Sequence, residues 1–194
     1  TNNMFYTNMF LSYKSGSDYE EETQSFRQVK LDTSLSSQPK LTVNHYTKEK
    51  EIFIQDDANK IYLIDPAHAG GRILWEKQLP EKIISDIYQI DIYKSNKLQL
   101  LFNTKTHIYL IDRKGRKVGN YPVKLKAPAT NGIAVFDYGK KKEYRILIAC
   151  NDKKIYNYDK YGKIVKGWEF DKTENTVRAP IRHFSTKGKD YIVI

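Results

Sequence analysis

Short apolar runs, broken at close intervals by polar turn residues, organise this chain. The stretch 86–112 contains three of them, "DIYQIDIY", "LQLLFN" and "HIYLID". Alternating apolar and polar residues have the period of a β-strand, and a continuous short apolar run suits a strand buried on both faces. Helical periodicity is almost absent, so the pattern predicts an all-β fold.

One phrase recurs three times, as "KIYLID", "HIYLID" and "KIYNYD". Its Asp residues, Asp65, Asp112 and Asp159, lie 47 residues apart. Around each phrase the chain contains four short strand patterns joined by tight turns. Four antiparallel strands that recur every 40–50 residues are typical of a β-propeller blade. We therefore expect a β-propeller with about four blades in this chain, as a segment of a larger propeller in preference to a closed four-bladed ring.

The repeat also predicts domain boundaries. Residues 1–194 are expected to form a single propeller domain or segment. The complete blades and the partial blades are then assigned as follows: complete blades at 41–80, 87–125 and 132–170, and partial blades at 4–31 and 180–194. The third complete blade is expected to end in a fourth strand, "IVKGWEF".

Each third strand ends in an Asp whose side chain can accept hydrogen bonds from the amides of the following turn. Gly115 and Gly162 are expected to supply the positive-φ position of that turn. An aromatic residue closes each phrase and is expected to pack against the neighbouring blade, at Trp75, Tyr121 and Trp168.

The formal net charge of +10 is unevenly distributed, with −3 in residues 1–90 and +13 in residues 91–194. Two basic hairpins, Arg113–Lys117 and Lys140–Lys142, contribute much of it. We expect these hairpins to point to opposite faces of a propeller, which divides the charge. The sequence thus predicts at most weak contact with anionic surfaces and no specific binding of nucleic acid.

Residues with catalytic or metal-binding potential are scattered. The four histidines lie more than ten residues apart, and the single cysteine, Cys150, falls in an apolar strand pattern. The loops after Asp91 and Asp137 have the position of calcium loops in some propellers, but they carry lysines. We therefore predict no catalytic, cofactor-binding or metal-binding residues, no cofactor, and no enzymatic activity.

A binding face is predicted on geometric grounds alone. The loops that enter each first strand differ most between repeats, and in a propeller they lie at one face near the axis. Any site is expected there, at Gln38, Thr130, Asn131 and Arg178. Tyrosine is abundant, with 15 residues. Most of the tyrosines occupy equivalent strand positions, so a structural role is favoured over a tyrosine-rich recognition surface.

The phrases "YDKYGKIVKGW", "IDRKGRKVGNY" and "IDPAHAGGRILW" resemble the repeat of pyrroloquinoline-quinone-like propellers over about residues 41–170. The stretches "NHYTKEKEIFIQDDANKIYLID", "LFNTKTHIYLID" and "PATNGIAVFDY" also resemble a group of large envelope proteins of Bacteroidetes-type bacteria. The strong repeat without convergent chemical residues leads us to expect a non-catalytic binding or scaffolding module, and the resemblance implies a place in the cell envelope, periplasmic or surface-exposed. Its partner would be a protein or the remainder of a larger chain. The alternative is a non-redox remnant or a part of a quinone- or metal-dependent oxidoreductase.

Overall fold

The computed structural model describes residues 29–68, 71–170 and 172–194, and all regular secondary structure in these ranges is β-strand. The all-β prediction is thereby confirmed. None of the described residues belongs to a helix with the length and hydrophobicity that crossing a bilayer requires. The partial blade predicted at 4–31 lies outside the described residues, except for residues 29–31, which form no strand.

The strands form four antiparallel sheets, and their order in each sheet follows their order in the chain. The first sheet contains β1 (Lys40–Val43), β2 (Lys50–Gln55), β3 (Lys60–Asp65) and β4 (Arg72–Gln78). The second contains β5 (Tyr88–Ile90), β6 (Gln99–Asn103), β7 (His107–Asp112) and β8 (Val123–Lys124). The third contains β9 (Ala134–Phe136), β10 (Arg145–Ala149) and β11 (Ile155–Asp159), and the fourth contains β12 (Arg182–Thr186) and β13 (Lys189–Val193).

The second and third strands pair in the same way in the first three sheets. The tyrosine of each third strand pairs with an apolar residue of the second strand: Tyr62 with Ile54, Tyr109 with Phe102, and Tyr156 with Ile148. A register shift by one residue would move apolar side chains to the opposite face of the sheet. The pairing is therefore the same in the first three sheets, although the second-strand partners are 48 and 46 residues apart, because the hairpin before β7 is one residue shorter than the hairpins before β3 and β11.

The predicted turns after the third strands are confirmed. In the second sheet, Asp112 Oδ1 accepts hydrogen bonds from the backbone amides of Lys114 and Arg116 at 2.9 and 3.0 Å. In the third sheet, Asp159 Oδ1 accepts two amide hydrogen bonds of 2.9 Å in the same way. Gly115 and Gly162 have φ values of 75° and 78°, in the region where glycine has no steric penalty.

The predicted fourth strand of the third sheet is wrong. After an isolated bridge between Tyr158 and Ile164, the chain turns at Gly167, whose φ is 77°. Trp168 then donates its indole N–H to the backbone carbonyl of Ile155 at 2.7 Å. Because this side chain occupies a carbonyl of β11, no continuous strand pairs there. Gly119 makes the corresponding interruption in the second sheet, where only the short β8 follows.

The described residues fall into two compact units. The first unit comprises the described residues up to Thr42 together with Glu49–Pro80. Its core consists of buried side chains of β2 and β3, with partly buried residues from the preceding segment and β4 against them: Ile52, Ile54, Tyr62, Ile64, Val29, Leu31, Leu35 and Ile73. The second unit comprises Val43–Lys48 and Glu81–Ile194. The prediction of one domain over 1–194 stays a prediction.

Two apolar clusters lie among the described residues of the second unit. The larger one includes Leu101, Leu110, Ile146 and Ile148, each fully buried, and therefore joins the second and third sheets. The smaller one joins the third sheet to β12–β13 through Leu147 and Ile192, among others. Burial of apolar surface is the main favourable term in folding, so these clusters hold three successive sheets together.

A close approach of backbone to side chain fixes the contact between the second and third sheets. A Cβ atom added at Gly162 would lie 2.4 Å from Val123 Cγ2, so only glycine fits there. Tyr121, which is buried, donates its hydroxyl hydrogen to the Lys160 carbonyl at 3.3 Å. The prediction that this aromatic residue packs against the neighbouring sheet is confirmed. In the first unit, a Cβ atom added at Gly71 would likewise lie 2.5 Å from Val29 Cγ2.

The loop that enters each sheet is tied to the second strand of the same sheet. Ser37 Oγ accepts the amide hydrogen of Gln55, Ser85 Oγ accepts that of Asn103, and Asn131 Oδ1 accepts that of Ala149. All three hydrogen bonds span 18 residues. These polar side chains therefore have a structural role, which satisfies buried backbone donors.

Candidate functional site: a tyrosine face on the second unit

The predicted binding-face residues are placed in two different settings. Thr130 donates its hydroxyl hydrogen to the Val177 carbonyl at 2.6 Å, and Asn131 donates its amide hydrogen to the Ala179 carbonyl at 3.0 Å. Both anchor the segment that presents the exposed Arg178. Gln38 lies in an exposed loop of the first unit, before β1. Thr130 and Asn131 thus hold the segment around Arg178 in place. A ligand-binding role for the four residues stays a prediction.

Side chains that could act in catalysis or metal binding are either paired with a neighbouring residue or buried. His68 contacts the carboxylate of Asp65 at 2.8 Å, and His183 contacts that of Asp190 at 2.9 Å. Burial raises the pKa of the Cys150 thiol to about 12, so the thiol stays protonated at neutral pH. Among the described residues, no group of three or more His, Cys, Asp and Glu side chains could hold a metal ion.

Three equivalent loops join the first and second strands of successive sheets, at 43–48, 91–98 and 137–143. Each loop is organised by one side chain at its start. Asn44 Oδ1 accepts two amide hydrogens of its own loop. Asp91 accepts those of residues 95 and 96, and Asp137 accepts those of residues 141, 142 and 143. These loops are therefore held in defined conformations.

Ion pairs connect the second and third of these loops. The Lys142 ammonium group lies 2.6 Å from Asp91 Oδ2, and that of Lys94 lies 2.5 Å from Glu143 Oε1. The nearly buried Lys160, in the hairpin after β11, contacts Glu143 at 3.1 Å. Burial opposes ionisation of Asp91, but the hydrogen bonds from Lys142 and from loop amides outweigh it and hold its pKa below the usual value.

These contacts correct one expectation from the sequence. The loop 137–143 and the hairpin that contains Lys160 touch each other, so they lie at the same end of the third sheet. The reason is topological: in an antiparallel meander, the first and third turns are at one end and the second turn is at the other. The basic segments Arg113–Lys117 and Lys140–Lys142 therefore do not point to opposite faces, and their charge is not divided.

The first loop lies beside the second. The side chain of Gln89 in β5 forms two hydrogen bonds with the backbone of Val43, of 2.7 and 2.9 Å. His45 Nδ1 accepts the amide hydrogen of Leu98 at 3.3 Å. Loops 43–48, 91–98 and 137–143 and the hairpin 159–163 thus form a continuous row in the second unit.

Tyrosine side chains project from this row. Tyr46 is 66% exposed, Tyr93 57%, Tyr138 39% and Tyr161 47%. Tyr46 and Tyr93 lie two residues after the side chain that organises their loop, and Tyr138 lies one residue after Asp137. Tyr62, Tyr109, Tyr121 and Tyr158 are buried, whereas Tyr191 in β13 is 43% exposed. We call the four exposed tyrosines of this row, with the loops that carry them, the tyrosine face. The sequence contains its signal, since Tyr46 and Tyr93 are 47 residues apart, but only the structure separates exposed from buried tyrosines.

The tyrosine face is also the more positive end of the second unit. Its turns, at 43–48, 91–98, 112–117, 137–143 and 159–163, contain 12 Lys and Arg against 5 Asp and Glu. The turns at the other end, at 81–87, 104–106, 126–133, 150–154 and 172–180, contain 7 against 4. A concentration of one sign of charge at one end steers the approach of oppositely charged partners.

The chain matches no protein-family model, and no curated protein is significantly similar to it.

Proposed function

We propose that this chain is a non-catalytic binding or scaffolding module built from repeated β-sheets. The observation that carries the proposal is the tyrosine face, where equivalent loops present exposed tyrosines in fixed conformations. Tyrosine is enriched at protein interfaces because it combines a large apolar ring with a hydrogen-bonding hydroxyl group. The Asp side chains of the described turns, by contrast, are occupied in holding those turns.

We further propose that the sheets are blades of a β-propeller, with about four blades in this chain as part of a larger propeller. Two observations support this arrangement: the shared strand register, and the approach of Gly162 to Val123, which places the hairpin of one sheet against the last strand of the preceding sheet. The resemblance to envelope proteins of Bacteroidetes-type bacteria supports a position in the cell envelope, with a protein or the remainder of a larger chain as the partner.

The competing function is that of a quinone- or metal-dependent oxidoreductase propeller. Such a protein would use loop carboxylates to bind calcium beside the quinone. Asp91 and Asp137 begin loops of a suitable kind, but the Lys142 ammonium group already lies 2.6 Å from Asp91 and 3.1 Å from Asn96 Oδ1. A cation supplied by the chain itself thus occupies the oxygen ligands that a divalent ion would need.

Thermal unfolding with added ligand distinguishes the two functions. A ligand that binds only the folded state raises the unfolding temperature by mass action. We expect calcium and pyrroloquinoline quinone, separately and together, to leave the unfolding temperature unchanged, with magnesium as a control for ionic strength. An increase of several degrees with calcium but not magnesium, or with the quinone, would contradict the non-catalytic proposal.

A further inference from the structure

We propose that the tyrosine face binds an acidic polypeptide segment that carries aromatic or apolar side chains among its carboxylates. This inference rests on the proposed binding function and names the partner chemistry. The rings of four tyrosines are 39–66% exposed on one row of loops. Rings of this size, half covered by the protein, offer apolar area that a partner can bury without first disrupting the core.

The loops that carry the rings are ordered before any partner binds. The side chains of Asn44, Asp91 and Asp137 each accept amide hydrogens of their own loop, and ion pairs tie the second loop to the third. Lys94 and Lys140, each three residues after the aspartate that begins its loop, have φ values of 57° and 52°, and Lys48, four residues after Asn44, has a φ of 68°. A surface that is already in its binding conformation loses less entropy on association.

The charge of the face selects an acidic partner. The lysines beside the rings, such as Lys97, Lys140 and Lys141, are exposed. The 12 basic and 5 acidic residues of the turns give this end of the unit a positive surface, which would steer a carboxylate-bearing segment towards the rings. Tyrosine hydroxyl groups can in addition donate hydrogen bonds to carboxylates.

The arrangement of charges favours a polypeptide over a nucleic acid. The ammonium groups of Lys94 and Lys142 are paired with Glu143 and Asp91, whose carboxylates lie between the tyrosine-bearing loops. A continuous phosphate backbone would pass close to these carboxylates and be repelled. A polypeptide can place its carboxylates beside the outer lysines and its apolar side chains over the rings, which is the division found in protein interfaces.

The test measures binding of fluorescent polymers to the chain 1–194 by anisotropy. The probes are poly-glutamate, a random copolymer of glutamate and tyrosine, and a single-stranded oligothymidine of similar length, each at ~50 and ~200 mM salt. We expect the copolymer to bind at least about 5-fold more tightly than poly-glutamate and more tightly than oligothymidine, because its rings add contacts to the shared charge.

Two variants locate the binding. The triple variant Tyr46→Ser, Tyr93→Ser and Tyr138→Ser keeps every charge and is expected to remove the advantage of the copolymer over poly-glutamate. The variant with Lys97, Lys140 and Lys141 changed to Gln is expected to weaken binding of both acidic polymers by about 10-fold or more. A matched control changes Lys124, Lys126 and Lys172, exposed at the opposite end, to Gln and is expected to leave binding unchanged. Circular dichroism and the unfolding temperature confirm that each variant folds.

Several results would overturn the inference. Tighter binding of oligothymidine than of the copolymer would assign the face to nucleic acid. Equal binding of the two acidic polymers, or an unchanged affinity in the tyrosine variant, would show that charge alone acts. Absence of binding to the copolymer at the lower salt would rule out an acidic polypeptide as the partner of this face. None of these results bears on the non-catalytic character of the chain, which is tested separately and is contradicted if calcium or the quinone stabilises the fold.

Discussion

Gly162 offers a sharp test of how the second and third sheets fit together. The perturbation is Gly162→Ala, which introduces two separable penalties. The backbone has a φ of 78°, where an L-residue is disfavoured by about 1–2 kcal/mol. The new methyl group would also lie 2.4 Å from Val123 Cγ2 and 3.4 Å from the ring of Tyr121. Overpacking of this kind typically destabilises by about 1–3 kcal/mol.

A second glycine provides the matched control. Gly167 has a φ of 77°, but a Cβ atom added there meets no atom within 4 Å. Gly167→Ala therefore has the backbone penalty alone, reduced by the ~0.4–1 kcal/mol gained when alanine stiffens the unfolded chain. We expect it to lower the free energy of unfolding by about 1 kcal/mol or less, and Gly162→Ala by about 2–4 kcal/mol.

The steric part can be removed independently. In a Val123→Ala background the clashing methyl group is absent, so Gly162→Ala should then be no more harmful than Gly167→Ala. The assay is urea unfolding in a Trp75→Phe background, followed by the fluorescence of Trp168, which packs against the smaller cluster of the second unit. Equal effects of the two glycine substitutions in the parent chain would refute the close approach between the sheets.

Two further predictions concern ionisable groups. The pKa of Asp91 is lower in the folded than in the unfolded chain, so its contribution to stability is present above the unfolded value of ~3.9 and is lost as pH falls through the folded pKa. Asp91→Asn should therefore destabilise the chain by about 1–3 kcal/mol at pH 7, and the difference should shrink below about pH 4; a pH-independent difference in urea unfolding would contradict this. The Cys150 thiol, buried and with a pKa raised to about 12, should react with iodoacetamide at pH 8 only after unfolding, and rapid labelling of the folded chain would contradict its burial.

The third strands and their turns could be predicted from the sequence because their signals are local. An apolar run such as Ile108–Ile111 specifies a buried strand, and the Asp and Gly that follow specify the turn. The fourth strands could not be predicted as reliably. Their apolar residues allow a strand, but Gly119 and Gly167 turn the chain, and the indole of Trp168 competes for a backbone carbonyl. Those glycines are 48 residues apart, which is the available signal.

The candidate site was less accessible from the sequence. Tyr93 and Tyr109 both recur with the repeat, yet one is 57% exposed and the other is 7% exposed, because one lies in a loop and the other in a central strand. Spacing alone does not distinguish these environments. The position of the basic hairpins was predicted wrongly, although the strand order of a meander determines it, since alternate turns share an end.

The hydrogen bonds that tie each entry loop to its own second strand define where one structural module ends and the next begins. Ser85 reaches Asn103 within the second sheet, and Asn131 reaches Ala149 within the third. Each module thus contains its own hydrogen bond between entry loop and second strand. A division of the chain near residue 80 or residue 126 would separate modules without breaking any of these bonds. Gene duplication or deletion at these boundaries would add or remove whole modules with no compensating change in the loops. Recombinant chimeras joined at the same boundaries would keep every one of these hydrogen bonds.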